Sequence, residues 1–134
     1  MNEIMKYLGD VNTPVAVSTV DGDKPKVRLM SFKMVVDGKI YMITSKKKAI
    51  YRELEKNNNI EICSMAQPDK SWLRVAAEAS FVEDVKLNTK AFEMLPLLEM
   101  AYGTPENPEI VLLRLDNVSA MQFSMGKHPV KLEL

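Results

Sequence analysis

Thr44 and Ser45, followed at once by Lys46, Lys47 and Lys48, are by type and spacing the residues best suited to chemistry in this chain. They stand where a β-rich run ends and a helical pattern begins. The first turn of a helix carries unpaired N–H groups and the positive end of the helix dipole. Acidic side chains gain there, and each lysine loses roughly a few tenths of a kcal/mol. A bound oxyanion reverses that sign. A phosphate would accept hydrogen bonds from the free N–H groups, from Thr44 or Ser45, and from a lysine. A hydroxyl cap with the lysines in water fits this segment equally well.

Further basic residues lie upstream. Residues 26–36 read as one long strand, Asp37-Gly38 as a two-residue hairpin turn, and residues 39–44 as the returning strand. Pairing Val36 with Lys39 and continuing outward brings Arg28 and Met30 near the Ser45 end. The two-donor fork of Arg28 can then complete a phosphate site. Leu29, Met30, Ser31 and Phe32 follow directly, and Trp72 opens a later strand. Together they offer an apolar, polarisable surface to a flat ring. A phosphate anchor and a ring platform in one hairpin point to a ligand such as FMN. Met and Phe are also ordinary core residues, and ten methionines can serve as packing.

Scarcity excludes several other chemistries. The single histidine, His128, sits beside Pro129 near the C-terminus, and the single cysteine is Cys63. Zinc sites built from Cys and His pairs are therefore ruled out, no metal site is expected, and a Ser-His-Asp triad would need the tail histidine. The five glycines are too scattered to form a phosphate-cradling loop. Eighteen basic residues balance eighteen acidic ones. No broad field draws nucleic acid or an anionic membrane, so any basic site is local. No stretch approaches the roughly 20 apolar residues that span a bilayer. With no basic leader or apolar signal segment, a cytoplasmic protein is expected.

The elements that must position these residues are short. A helix is expected over residues 3–8, and strands over 14–20, 26–36, 39–44, 60–66 and 72–81. A helix over residues 47–57 carries Ile50 and Leu54 on one face. Asp84 can cap another helix bearing Leu87, Ala91, Met94 and Leu95, which Pro96 interrupts. Residues 110–115 and 118–124 read as a closing hairpin-like pair. Six or seven strands with two interposed helices fit an antiparallel barrel within one domain spanning residues 1–134. Val27, Leu29 and Val35 lie on one face of the long strand, and Met30, Phe32 and Met34 on the other. One face is expected in the core and the other against a partner or ligand.

In order and spacing, several segments resemble the pyridoxamine 5'-phosphate oxidase-like FMN-binding split barrels. They are Pro25-Lys26-Val27-Arg28-Leu29-Met30-Ser31-Phe32-Lys33, the run from Asp37 to Ser45, Lys48 with its helix ending in Lys56-Asn57-Asn58, then Ile60-Glu61-Ile62-Cys63 and the strand from Trp72 to Ala79. The resemblance covers about residues 14–123. It implies a homodimer with FMN at the subunit interface. Arg28, Thr44, Ser45 and Lys48 would hold the phosphate, with Lys47 a weaker candidate. Leu29, Met30, Ser31 and Phe32 would line the ring, and Trp72 would close part of the pocket, contributed by the second subunit. The arginine and histidine segment with which the biosynthetic oxidase handles its substrate is missing, so that activity is not expected. Short members similar to this chain are grouped with nitroimidazole reductases. The implied activity is electron transfer from a reduced nicotinamide cofactor to a small acceptor, such as a nitroaromatic or quinone, with no essential acid–base side chain. A non-enzymatic flavin binder or sensor, or a binder of haem or a deazaflavin coenzyme, are the alternatives.

Overall fold

A computed structural model describes residues 1–133. The residue after them, Leu134, closes the expected domain and lies outside the described residues. In chain order the elements are α1 (Asn2–Leu8), β1 (Val15–Asp21), β2 (Lys24–Met30), β3 (Met34–Val36), β4 (Lys39–Ser45), α2 (Ala49–Lys56), β5 (Asn59–Cys63), β6 (Trp72–Val82), α3 (Val85–Met94), α4 (Leu98–Tyr102), β7 (Ile110–Phe123) and β8 (Val130–Leu132). The strands form one antiparallel sheet in the order β2-β1-β5-β6-β7-β4-β3, with β8 added on β7.

β2 and β3 are the two ends of that sheet, yet only residues 31–33 separate them. Four Cα steps of about 3.8 Å cannot place Met30 more than about 15 Å from Met34. The sheet therefore curls until its edges almost meet, and it is a split barrel rather than an open layer. This corrects the single long strand expected over residues 26–36. Val36 does pair with Lys39, but Arg28 lies opposite Val17 of β1, not opposite β4.

The break is held by a buried lysine. Lys33 is only 2% exposed, and its Nζ donates to the carbonyls of Ser31 (2.6 Å) and Thr13 (2.7 Å). Those bonds satisfy backbone acceptors at the point where the ladder is interrupted. Burial pulls its pKa down to about 8, against a smaller opposing pull from Asp10.

The second correction concerns the C-terminal pair. Residues 110–123 form one strand, not a hairpin. Ala76 pairs with Ser119 and Glu78 with Asp116, so three steps on β7 oppose two on β6. The extra residue makes a β-bulge, with Asn117 at φ 52°. An Asp-Asn sequence that reads as a turn is here absorbed inside a strand.

β4 and the first part of β7, residues 110–115, are buried on both faces because two apolar layers flank them. Ile40 and Met42 of β4, with Leu113 and Leu115 of β7, join the barrel core around Val17, Ile62, Leu73 and Val75. Tyr41, Ile43, Ile110 and Leu112 point the other way, into a cluster with Phe32, Ala91 and Leu98. The period-2 alternation of a strand sends alternate side chains to the two layers. α3 is capped as expected, with the Asp84 carboxylate accepting from the N–H groups of Lys86 and Leu87. No helix among the described residues is long and apolar enough to cross a membrane.

Candidate functional site

The seam opens into a cleft of about 570 Å³, within the roughly 300–1,000 Å³ typical of small-molecule sites. β2 and the crossover line it with Arg28, Leu29, Met30, Ser31 and Phe32, and β4 adds Ile43 and Thr44. The start of α2 contributes Lys48, Ala49 and Ile50, and the end of α3 and α4 contribute Leu95, Leu98, Ala101 and Tyr102. Seven of the ten residues singled out in the sequence thus meet in one place. Arg28 arrives beside Thr44 because the sheet curls, not because β2 pairs with β4.

The lysine cluster divides by geometry. Lys46 is held by Glu83 at 2.6 Å, and that hydrogen bond raises its pKa. Lys47 is exposed and stays outside the cleft. Lys48 lines the cleft and occupies the N-cap position of α2, where no side chain caps the helix and no acid stands in the first turn. The first N–H groups of α2 are therefore available to an anion. Ser45 lies just beneath, 8% exposed, its Oγ accepting the Lys47 N–H at 3.2 Å. Trp72 is not at the cleft of its own chain. It stacks on Phe123, its cross-strand partner on β7, with ring centroids 5.6 Å apart.

Arg28 is oriented by a network that the sequence reading missed. Its Nη2 donates to Glu53 Oε1 at 2.6 Å and its Nη1 to Thr19 Oγ1 at 2.8 Å, while the Thr19 hydroxyl donates to the same Glu53 oxygen at 2.6 Å. Burial pushes the Glu53 carboxyl up, but the bonds from Thr19 and Arg28 outweigh it and hold the pKa below the ordinary value. Three of the five guanidinium N–H groups are committed, counting a long bond to the Val17 carbonyl at 3.3 Å. The remainder can still face a ligand. Glu53 could have been noticed as an acid beside Leu54 on the apolar side of α2, three residues after Ile50. Leu95, Leu98 and Tyr102 likewise continue a helical spacing past Pro96.

A smaller hollow of about 290 Å³ lies elsewhere on α2, among Asp21, Arg52, Glu53, Glu55 and Lys56. Ala49 is its one apolar lining residue among mixed charges, so it lacks the surface a flat ring needs. The seam cleft joins a basic end, at Arg28 and Lys48, to an apolar body, and no carboxylate among the described residues lines it.

A split antiparallel barrel with a cleft at its seam, basic at one end and apolar along its walls, is the class that fold and site define. Residues 4–119 match the family model described as Pyridoxamine 5'-phosphate oxidase, and the chain belongs to that family. No curated protein matches it. Among solved structures it is similar to a NimC/NimA family protein from Clostridium acetobutylicum, with a TM-score of 0.88 at 20% identity over 100% of this chain and 92% of that one. It is also similar to a pyridoxamine 5'-phosphate oxidase-related, FMN binding protein from Nostoc punctiforme, with a TM-score of 0.68 at 13% identity over 91% and 88% of the two chains. An F420 reductase aligns with a TM-score of 0.60 at 18% identity over 84% and 90%. All three share the fold.

Proposed function

We propose that this protein binds FMN in the seam cleft and passes electrons from a reduced nicotinamide cofactor to a small organic acceptor. The observation that carries the reading is the uncapped start of α2, with Lys48, Thr44 and Arg28 opening into the same cleft as the apolar wall from Leu29 to Phe32. Lys48, the α2 N–H groups, Thr44 and the free edge of Arg28 would hold the phosphate, with Ser45 supporting the turn. Leu29, Met30, Ser31 and Phe32 would flank the ring. Bound FMN supplies two-electron chemistry, and the chain supplies position and charge.

The functional unit is a homodimer. Val27 and Leu29 are 70% and 65% exposed on β2, an edge strand. Apolar side chains on an unpaired edge favour burial against a second copy. In that assembly Trp72 would reach the partner's cleft.

The deciding experiment is the visible spectrum of the purified protein with added FMN, followed by gel filtration. Flavin absorbance that shifts and co-elutes with the protein supports the reading. Added FMN that stays spectrally free removes it, and tighter binding of a deazaflavin coenzyme would replace FMN with that cofactor. A flavin-loaded protein that oxidises no nicotinamide with any acceptor would leave a binder rather than an oxidoreductase.

A further inference from the structure

The cleft has a wall that phosphate and ring recognition leave unused. Leu95, Leu98, Ala101 and Tyr102 form it, and three of these four are apolar. Tyr102 ends α4, and Gly103 at φ 81° turns the chain away. The Tyr102 carbonyl accepts from the Asn107 side-chain amide at 2.8 Å and from the Thr104 N–H at 3.1 Å. Its ring packs in the cluster that holds Phe32 and Leu98. Backbone and ring are thereby held, while the half-buried side chain lines the cleft and its hydroxyl is neither paired nor among the fully buried polar atoms of the described residues. Burial raises the phenol above its ordinary value of 10, so it remains an O–H donor at neutral pH.

An unpaired donor on an otherwise apolar wall favours a molecule with an accepting oxygen, because an analogue lacking that oxygen leaves the donor unsatisfied. No carboxylate among the described residues lines the cleft to attract a cation, and its two basic groups stand on β2 and at the N-cap of α2. The geometry points to Tyr102 as the residue that binds the electron acceptor, donating its phenolic hydrogen bond to a carbonyl or nitro oxygen of a planar, uncharged molecule such as a quinone or nitroarene. Tyr102 has this role only if the FMN reading of the same cleft holds.

The test compares the FMN-loaded wild type with Tyr102→Phe. Each is titrated with 2-methyl-1,4-naphthoquinone in the absence of reductant, and binding is followed by perturbation of the flavin spectrum. 2-Methylnaphthalene, which lacks both oxygens, is the control. Tyr102→Phe should bind FMN as wild type does, bind the quinone about three- to tenfold more weakly, and bind the hydrocarbon at least as tightly. Equal quinone affinity in the two proteins, no quinone binding by wild type, or a parallel loss of the hydrocarbon would overturn it. A loss of FMN affinity would assign the hydroxyl to the cofactor instead. Absence of FMN uptake by wild type removes the cofactor reading as well, whereas FMN uptake with unchanged quinone binding removes only the role of Tyr102.

Discussion

Nη2 of Arg28 lies 2.6 Å from Oε1 of Glu53 and ties the edge strand β2 to the middle of α2. One helix thus presents its open N-terminus to the cleft and, five residues beyond Lys48, aims the arginine that shares that end. The arginine side chain is 25% exposed and the glutamate 8%, so the pair is screened on one side only.

Glu53→Gln should destabilise the fold by about 2 kcal/mol, the scale of a charge-assisted hydrogen bond discounted for the exposure of Arg28. The measurement is the urea midpoint at pH 7. Because Glu53 titrates below its ordinary value, its contribution is present above the unfolded pKa and lost as pH falls through the folded one. The gap between wild type and variant should therefore narrow below about pH 4.5. A gap that stays constant to pH 3 would mean the carboxylate charge is not what holds Arg28.

Lys33 predicts a slope of the same sign in the alkaline range. Its folded pKa is pulled from 10.5 down to about 8, so between those values the unfolded chain binds more protons and stability rises with pH. Wild type should gain about 2 kcal/mol relative to Lys33→Met between pH 7.5 and 10. Urea titrations at both pH values check it, and parallel pH profiles would refute it.

The three adjacent lysines should separate in FMN binding. Arg28→Ala with Lys48→Ala removes two charge-assisted contacts and should raise the FMN Kd by at least about 100-fold in a protein that still folds. Lys46→Ala, whose amine is occupied by Glu83, should leave the Kd within about twofold. Equal effects at positions 46 and 48 would move the phosphate away from the α2 terminus.

Val27 does not line the cleft and stands exposed on β2. Val27→Glu should shift sedimentation from dimer to monomer while leaving the circular dichroism unchanged. A dimer that persists would place the interface on another surface.

The parts legible from sequence were those governed by neighbours along the chain. The Asp37-Gly38 turn places both residues at positive φ, as a type I′ hairpin requires. Asp84 caps α3, and α2 follows the Thr44-Ser45 strand end. Each depends on backbone geometry within a few residues. Seven of the residues singled out for chemistry line one cleft, but no local signal told Lys48 from Lys46 and Lys47.

Which strands pair beyond the local hairpins was decided only by the tertiary structure. Side-chain alternation reports burial on two faces and is silent on the partner, so residues 26–36 looked continuous until Lys33 buried its amine and sent β2 and β3 to opposite edges. Asp116-Asn117 looked like a turn until the β6 register absorbed one residue as a bulge. Glu53 and Tyr102 entered the picture for the same reason, being 25 and 74 residues from Arg28 in sequence, whereas Thr19 reaches it across the β1–β2 hairpin. Long-range closure of the sheet brings such groups together, and no local propensity encodes it.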